Sequence, residues 1–351
     1  MKNMKKFTII PIILIANFLF ASTLDQNFQL AKKMYQDTLY EEAIQQFQKI
    51  ISQYPTSKEA EESQLLVGNC YYNINNFADA EQTYKHLLRA YPESDFVPNA
   101  LFKLAESQFN QGKYVQSAEN YQQLINKYPG SSFAHSSLIK SVKALYLSHQ
   151  YNETILTALE IAKNYPQNTS IPFVYLVMAD AYFDNNIPEK GLSTLQTIIS
   201  KYKNSEAKWI AVKRLANYYL ENDNIEQAIN ILSDNIDESI PRKYEKDLSL
   251  LLGDLLFANN DFQKAMENYQ KYLKKFDNET NLDTVSIKII DCLYKLKNYQ
   301  KAIEYAQEFV DKLSKSNLIP TAYLRYAQNL FCIKKYTQAL QILNKNIWQE
   351  S

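Results

Sequence analysis

The chain has 351 residues, with 38 basic and 38 acidic side chains, 5 Gly and 10 Pro. Its neutrality lacks the one-signed excess with which a nucleic-acid binder neutralises phosphates, and its 46% apolar content is too high for intrinsic disorder. So few turn formers exclude a many-stranded sandwich or barrel and point to helices joined by short polar turns.

The first element is an export segment. Lys2, Lys5 and Lys6 precede residues 7–20, which are apolar apart from Thr8, Pro11 and Asn17, and Ala21-Ser22-Thr23 closes the stretch. A basic start, an apolar core and a small-residue exit are the layout of a secretory signal peptide. The apolar run is shorter than the ~20 residues of a spanning helix. Residues 1–21 are therefore expected to be removed, with Leu19 and Ala21 three and one before the cut. Ser22 stands where a lipoprotein would carry Cys, so no lipid anchor is expected. The predicted mature protein carries a small acidic excess, has no membrane span, and is periplasmic or secreted.

From residue 24 to 351 a single period runs through the sequence. Pro55, Pro92, Pro129 and Pro166 recur at a spacing of 37 in the contexts SQYPTS, RAYPES, NKYPGS and KNYPQN. The same step links Tyr40, Phe77, Tyr114, Tyr151, Pro188, Ile225, Phe262, Tyr299 and Tyr336. Three residues after each stands a small residue, from Ala43 and Ala80 to Ala302 and Ala339. Nine residues before each is a second column, Ala31, Gly68, Ala105, Val142, Ala179, Ala216, Gly253, Ile290 and Ala327, small except at Val142 and Ile290. Two small columns per repeat imply two helices whose backbones approach closely. Leu101, Leu104, Ala105 and Gln108 follow helical spacing, Asn110 to Lys113 break it, and Tyr114, Ser117, Tyr121 and Leu124 resume it. Asn75, Gly112, Asn186, Asp223 and Asn260 share one register suited to a left-handed turn residue. Pro188 fits the first residue of a helix. Ser57, Ser94, Ser131, Asn168, Ser205 and Ser316 are expected to cap the following first helices.

These features predict nine helix-turn-helix units starting near 24, 61, 98, 135, 172, 209, 246, 283 and 320. Gly68, Tyr71, Phe77-Ala78-Asp79-Ala80, Tyr84 and Pro92 carry the pattern by which each unit resembles a tetratricopeptide repeat, lengthened from 34 to 37 residues. The longer form is similar to the repeats of the bacterial envelope families of the Tol-Pal protein YbgF and the outer-membrane assembly lipoprotein BamD. The resemblance implies an all-α, right-handed superhelical solenoid that binds a protein or peptide partner on its concave face as a non-enzymatic envelope adaptor. The alternative is a structural accessory of a secretion, motility or polysaccharide-export machine that uses its terminal faces. The weakest repeats are the fourth, with Val142, Thr154 and Ala158, and the sixth, whose exit reads Ser239-Ile240-Pro241, so irregularity is expected near 235–245.

In that family, first-helix positions 5, 9 and 12, counted from each repeat start, line the inner groove and share one side of the helix. Position 12 is Tyr35, Tyr72, Phe109, Tyr146, Phe183, Leu220, Phe257, Tyr294 and Phe331, aromatic in all but one repeat. Position 9 is polar throughout and includes Asn69, Asp180, Asn217, Asp254 and Asp291. Rings beside amides and carboxylates suit an extended or helical peptide, so these residues without Leu220 form the candidate peptide groove. The same rings could instead pack on the first helix of the next repeat. Lys213 and Asn217 begin the carboxylate clamp of chaperone-binding relatives, but Leu250 and Leu251 break it in the next unit.

No catalytic, cofactor or metal site is expected. His86, His135 and His149 occupy three different repeat positions, and no Gly-rich phosphate loop is present. Cys70, Cys292 and Cys332 read as buried thiols, with a Cys292–Cys332 bridge as the alternative. Leu340, Ile342, Leu343, Ile347 and Trp348 crowd the last helix, whose outer face is either partly wet or docks a partner or a second copy end to end.

Overall fold

The computed structural model describes residues 10–237, 239–276, 282–312 and 316–347, so Lys2, Lys5, Lys6 and Trp348 lie outside the described residues. Among the described residues every regular element is a helix. They fall into two compact units, Met1–Thr194 and Leu195–Ser351. The first contains α1 (Ile10–Gln36), α2 (Tyr40–Gln53), α3 (Lys58–Asn73), α4 (Phe77–Ala90), α5 (Val97–Asn110), α6 (Tyr114–Lys127), α7 (Ser132–Leu147), α8 (Tyr151–Asn164) and α9 (Ile171–Asp184). After α10 (Pro188–Lys201), the second contains α11 (Glu206–Glu221), α12 (Ile225–Asn235), α13 (Arg242–Ala258), α14 (Phe262–Lys275), α15 (Leu282–Lys295), α16 (Tyr299–Lys312), α17 (Ile319–Cys332) and α18 (Tyr336–Ile347). In unit 1 consecutive helices from α1 to α9 pack on one another, and alternate first helices touch, as α5 does α7; unit 2 repeats this from α11 to α18. This is the packing of a solenoid of helical repeats. The helix α1 runs unbroken through the expected cleavage point at Ala21.

The turn inside each repeat is the most regular feature of the backbone. Thr38, Asn75, Gly112, His149, Asn186, Asp223, Asn260, Lys297 and Lys334 all have φ between 56° and 72°. After each, an amide donates back to a carbonyl five residues earlier, as from Asn76 to Tyr71 at 2.8 Å and from Lys113 to Gln108 at 2.9 Å. This six-to-one bond closes a helix over a left-handed residue. Five of the nine were legible from their own preference; Thr38, His149, Lys297 and Lys334 were not. There the packing of the two helices imposes a conformation that the residue itself disfavours, most of all at β-branched Thr38. Replacing Thr38 with Asn is expected to stabilise the protein by about 0.5–1 kcal/mol, read as a higher urea midpoint. An unchanged or lower midpoint would count against strain at this turn.

The expected caps divide into two groups. Ser57, Ser131 and Ser205 cap α3, α7 and α11 by accepting from Ala60, Phe133 and Ala207. Ser94, Asn168 and Ser316 instead hold a turn, accepting from the amides of Phe96, Ser170 and Leu318. The helices α5, α9 and α17 then start later, each with a Pro in its first turn. That Pro needs no partner for its missing N–H, so the chain makes a turn before entering the helix. In the sixth repeat α12 has only 11 residues, whereas α13 has 17. Ser239 closes the intervening turn on Asp237 Oδ1, and Ile240 is buried.

Both small columns are buried in every repeat. Val142 and Ile290, the two large members, have a compensation one helix away. Position 24 of the repeats, sixteen residues after the first helix's small position 8, reads Phe47, Tyr84, Tyr121, Ala158, Leu195, Leu232, Tyr269, Ala306 and Leu343. The large residues Val142 and Ile290 face the column's only alanines, Ala158 and Ala306. The two glycines face tyrosines: a Cβ on Gly68 would lie 2.4 Å from the Tyr84 ring, and one on Gly253 would lie 2.5 Å from the Tyr269 ring. Side-chain volume is thus conserved across the pair at close-packed density, although neither column alone conserves size.

Cys70 and Cys292 are buried free thiols and Cys332 is a partly buried one. Burial pushes the Cys70 and Cys292 thiols up to about 12, which leaves them protonated and poor nucleophiles. His86, His135 and His149 are exposed.

Candidate protein-binding face of the first helices

The position-12 rings pack in two directions, and one is toward the next first helix, as Phe109 does against Ala144 and Leu145. The other is toward the first ring of their own second helix, five residues on across the turn, which they meet edge to face except at Tyr146–Tyr151, where the rings are tilted at 48°. The centroid separation is 5.8 Å for Tyr35–Tyr40, 5.3 Å for Tyr72–Phe77, 5.2 Å for Phe109–Tyr114 and 5.9 Å for Tyr146–Tyr151. In unit 2 the pairs are Phe257–Phe262, Tyr294–Tyr299 and Phe331–Tyr336, at 5.2, 5.7 and 5.1 Å. Phe183 faces Pro188 at that register and lies instead against Gly191, where an added Cβ would be 2.8 Å from its ring. Each ring therefore fastens its own helix-turn-helix.

The hydroxyls reach the next repeat, at a spacing of 38 residues. Asn73 Nδ2 donates to Tyr35 OH at 3.4 Å, Asn110 Nδ2 to Tyr72 OH at 3.2 Å, and Tyr146 OH donates to Asp184 Oδ2 at 2.6 Å. Tyr72 OH also donates to Glu106 Oε2 at 3.3 Å. Two rings carry an ammonium on their faces, Lys103 over Tyr72 at 4.5 Å and Lys143 over Phe109 at 5.9 Å.

Position 9 serves the architecture as well. Asn69 Oδ1 accepts from buried Tyr84 OH at 2.7 Å. Glu106 Oε1 accepts from Tyr121 OH and from Lys140 Nζ, both at 2.8 Å. Asp254 Oδ1 accepts from Tyr269 OH and Lys288 Nζ, both at 2.5 Å, and Asp291 pairs with Arg325. A polar residue thus joins a core tyrosine of its own repeat to a base 34 residues on. Burial alone would raise the Glu106 pKa, but the hydrogen bonds from Lys140 and Tyr121 outweigh it and hold the carboxyl below its ordinary range. Asp180 is partly buried and Asn217 is exposed. The partner bases Lys140, Lys288 and Arg325 share position 6, a column that the sequence reading did not examine. Lys213, from the interrupted clamp, pairs with Asp247 at 3.4 Å.

One constellation escaped the sequence reading altogether. Glu81 on α4 is only 3% exposed. Its carboxylate accepts from Lys85 at 2.6 Å, Lys113 at 2.7 Å, Gln111 at 2.9 Å and Gln108 at 3.2 Å. Burial would raise its pKa; the hydrogen bonds from Lys113, Lys85, Gln108 and Gln111 reverse this and lower it to about 2. At this register the other repeats carry Ile44, Ala118, Ile155, Leu192, Ile229, Met266, Ile303 and Leu340. A carboxylate in an otherwise apolar column was the available signal.

Chemically, the arrangement offers ordered rings, amides and ion pairs. Among the described residues no group of three or more His, Cys, Asp or Glu is placed to hold a metal ion, and no described helix is long and apolar enough to cross a membrane.

Comparison with known proteins agrees with this repeat geometry. The family model of the tetratricopeptide repeat-like domain matches residues 116–295, and a tetratricopeptide repeat model matches residues 99–131. The model of an outer membrane lipoprotein family matches residues 21–100. No curated protein matches the chain. Among solved structures it is similar to a tetratricopeptide repeat protein from Parabacteroides merdae, at 12% identity over 78% of this chain and 99% of that one, with a TM-score of 0.46. It is also similar to MamA, at 15% identity over 52% of this chain and 93% of that one, with a TM-score of 0.44. A third is YrrB, a repeat protein with an unusual peptide-binding site, at 14% identity over 53% of this chain and 90% of that one, with a TM-score of 0.41.

Proposed function

Because this chain belongs to the tetratricopeptide repeat-like family, we propose that it is an exported, non-enzymatic adaptor of the bacterial cell envelope that holds a protein or peptide partner against the first-helix face of repeats two to four. A scaffold for protein–protein interaction is the coarse function that the repeat family carries. The observation supporting this particular face is the state of Tyr72, Phe109 and Tyr146. All three are half-buried and held at their edges by the ring five residues on. A partner would meet apolar area that is already ordered, so little side-chain entropy remains to be lost on binding. Exposed Asn73, Asn110 and Asp184 flank the rings and supply polar groups for a peptide backbone.

The envelope setting is supported by the match of residues 21–100 to an outer membrane lipoprotein family and by the basic, apolar and small-residue layout of residues 2–23. Tol-Pal-like maintenance or outer-membrane assembly is the process proposed. With Ser22 where a lipoprotein cut at that point would carry Cys, the adaptor is proposed to be unlipidated.

Crosslinked capture from the native envelope, comparing wild type with the Tyr72→Ala, Phe109→Ala and Tyr146→Ala triple variant, tests the face. A partner held by wild type and lost by the triple variant, with helical circular dichroism unchanged, is the expected result; retention of that partner would remove the reading. N-terminal sequencing of the exported protein is expected to start at Ser22, and an intact Met1 would remove the export step.

A further inference from the structure

We infer that the apolar groove at the end of unit 2 seats an acidic amphipathic helix of a partner protein. Leu324, Phe331, Tyr336, Leu340 and Leu343 line it together with Tyr294, around about 440 Å³ of space. Phe331 is 63% and Leu340 62% exposed, too open for single stray surface residues when they share one groove.

The repeats themselves specify what fits there. At the register of Leu340, the residues Ile44, Glu81, Ala118, Ile155, Ile229 and Ile303 are buried, and Leu192 and Met266 are partly buried. Their covers come from the first helix of the following repeat: Ala144 and Leu145 cluster with Ala118, Ala327 and Leu330 with Ile303, and Gln108 bonds Glu81. The groove therefore continues the repeat-to-repeat interface and has the shape to take one more helix. Such a helix carries apolar residues spaced i, i+3, i+4, as in Leu252, Leu255 and Leu256 or in Ile289, Cys292 and Leu293, all buried in unit 2.

Charge specifies the flank. Between 316 and 347 the sequence has Arg325, Lys334, Lys335 and Lys345 and no acidic residue. Arg325 is engaged by Asp291. Lys334 and Lys335 stand exposed in the turn between Phe331 and Tyr336, at the rim of the groove, where carboxylates on an incoming helix are attracted. A second copy of this chain fits less well. Its α1 would present exposed Lys33 at the register where Cys70, Ser107, Ala144 and Ala181 are buried, placing a like charge against a basic rim.

Two synthetic peptides test this in fluorescence anisotropy with the full chain. Both carry Leu, Ala and Leu at the spacing of Ile289, Cys292 and Leu293; one has Glu along its polar flank and the other Lys. The Glu peptide is expected to bind at least about tenfold more tightly. Phe331→Ser and Leu340→Ser, changes at exposed sites, are each expected to weaken it about tenfold or more with unchanged circular dichroism, and Lys334→Glu with Lys335→Glu to reverse the preference. Equal affinity for the two peptides, or binding indifferent to both serine substitutions, overturns the inference. A dimer in sedimentation that Leu340→Ser dissolves would also overturn it, by giving the groove to a second copy. The Tyr72, Phe109 and Tyr146 triple variant is expected to bind the Glu peptide as wild type does, so this result is separable from the fate of the first-helix face.

Discussion

Replacing Glu81 with Ala is expected to destabilise the protein by about 3 kcal/mol at pH 7, the scale for breaking a buried ion pair by removing one partner. The ammonium groups of Lys85 and Lys113 sit on side chains 40% and 44% exposed, so they can turn to water and recover most of their hydration. Gln108 cannot: it is 2% exposed. Its Oε1 remains engaged by Asn120 Nδ2 at 2.7 Å, while its Nε2 loses the carboxylate and is left buried without an acceptor. The double substitution Glu81→Ile with Gln108→Leu copies the Ile303 and Leu330 contact found in unit 2 and removes the orphan together with the charge. It is expected to return stability to within about 1 kcal/mol of wild type, since apolar replacement of a whole buried network is often neutral or better.

Acid titration provides a second reading of the same site. The Glu81 pKa is depressed from 4.5 to about 2, so its contribution is fully present above about pH 4.5 and is lost as the pH falls through about 2. Each unit of that interval corresponds to about 1.4 kcal/mol. Urea midpoints at pH 7 and pH 2.5 are expected to fall further apart for wild type than for the double variant. Equal acid sensitivity would show that the network does not hold its carboxylate in the ionised form.

What could be read in advance follows from what repetition preserves. The period, the helix pairs and the small columns were legible because nine copies of one constraint reinforce each other in the sequence. The left-handed turns at Thr38, Lys297 and Lys334 were hidden because their side chains are poor indicators of a conformation that packing imposes. The face at positions 9 and 12 was visible as a pattern, but its hydrogen bonds were not. The pairing of Glu106 with both Tyr121 and Lys140 joins residues 15 and 34 apart, and neither separation appears when one helical stripe is read alone. Glu81 was missed for a related reason: the sequence reading sought chemistry in clusters, whereas the signal was one charged residue in an apolar column.

The size exchange between Gly253 and Tyr269 should give the largest coupling in the molecule. A Cβ on Gly253 would lie 2.5 Å and 2.9 Å from two carbons of the Tyr269 ring and 3.0 Å from Asn268 Oδ1. The ring cannot swing aside without breaking its hydroxyl bond to Asp254, which Lys288 also holds. Gly253→Ile alone is therefore expected to cost about 3 kcal/mol or more, because overpacking at a pinned ring leaves no low-energy rotamer. Tyr269→Ala alone is expected to cost about 3–5 kcal/mol, from the lost ring burial and the cavity it leaves. The eighth repeat already contains the combined solution, Ile290 with Ala306, and both residues are fully buried. Placing that pair in the seventh repeat as Gly253→Ile with Tyr269→Ala is expected to recover most of both losses, a coupling of several kcal/mol in a double-mutant cycle, beyond the usual 0.5–3. Thermal unfolding of the four proteins measures it. Strict additivity of the two single losses would mean that the columns conserve size independently and that the match of Val142 with Ala158 and of Ile290 with Ala306 has no structural origin.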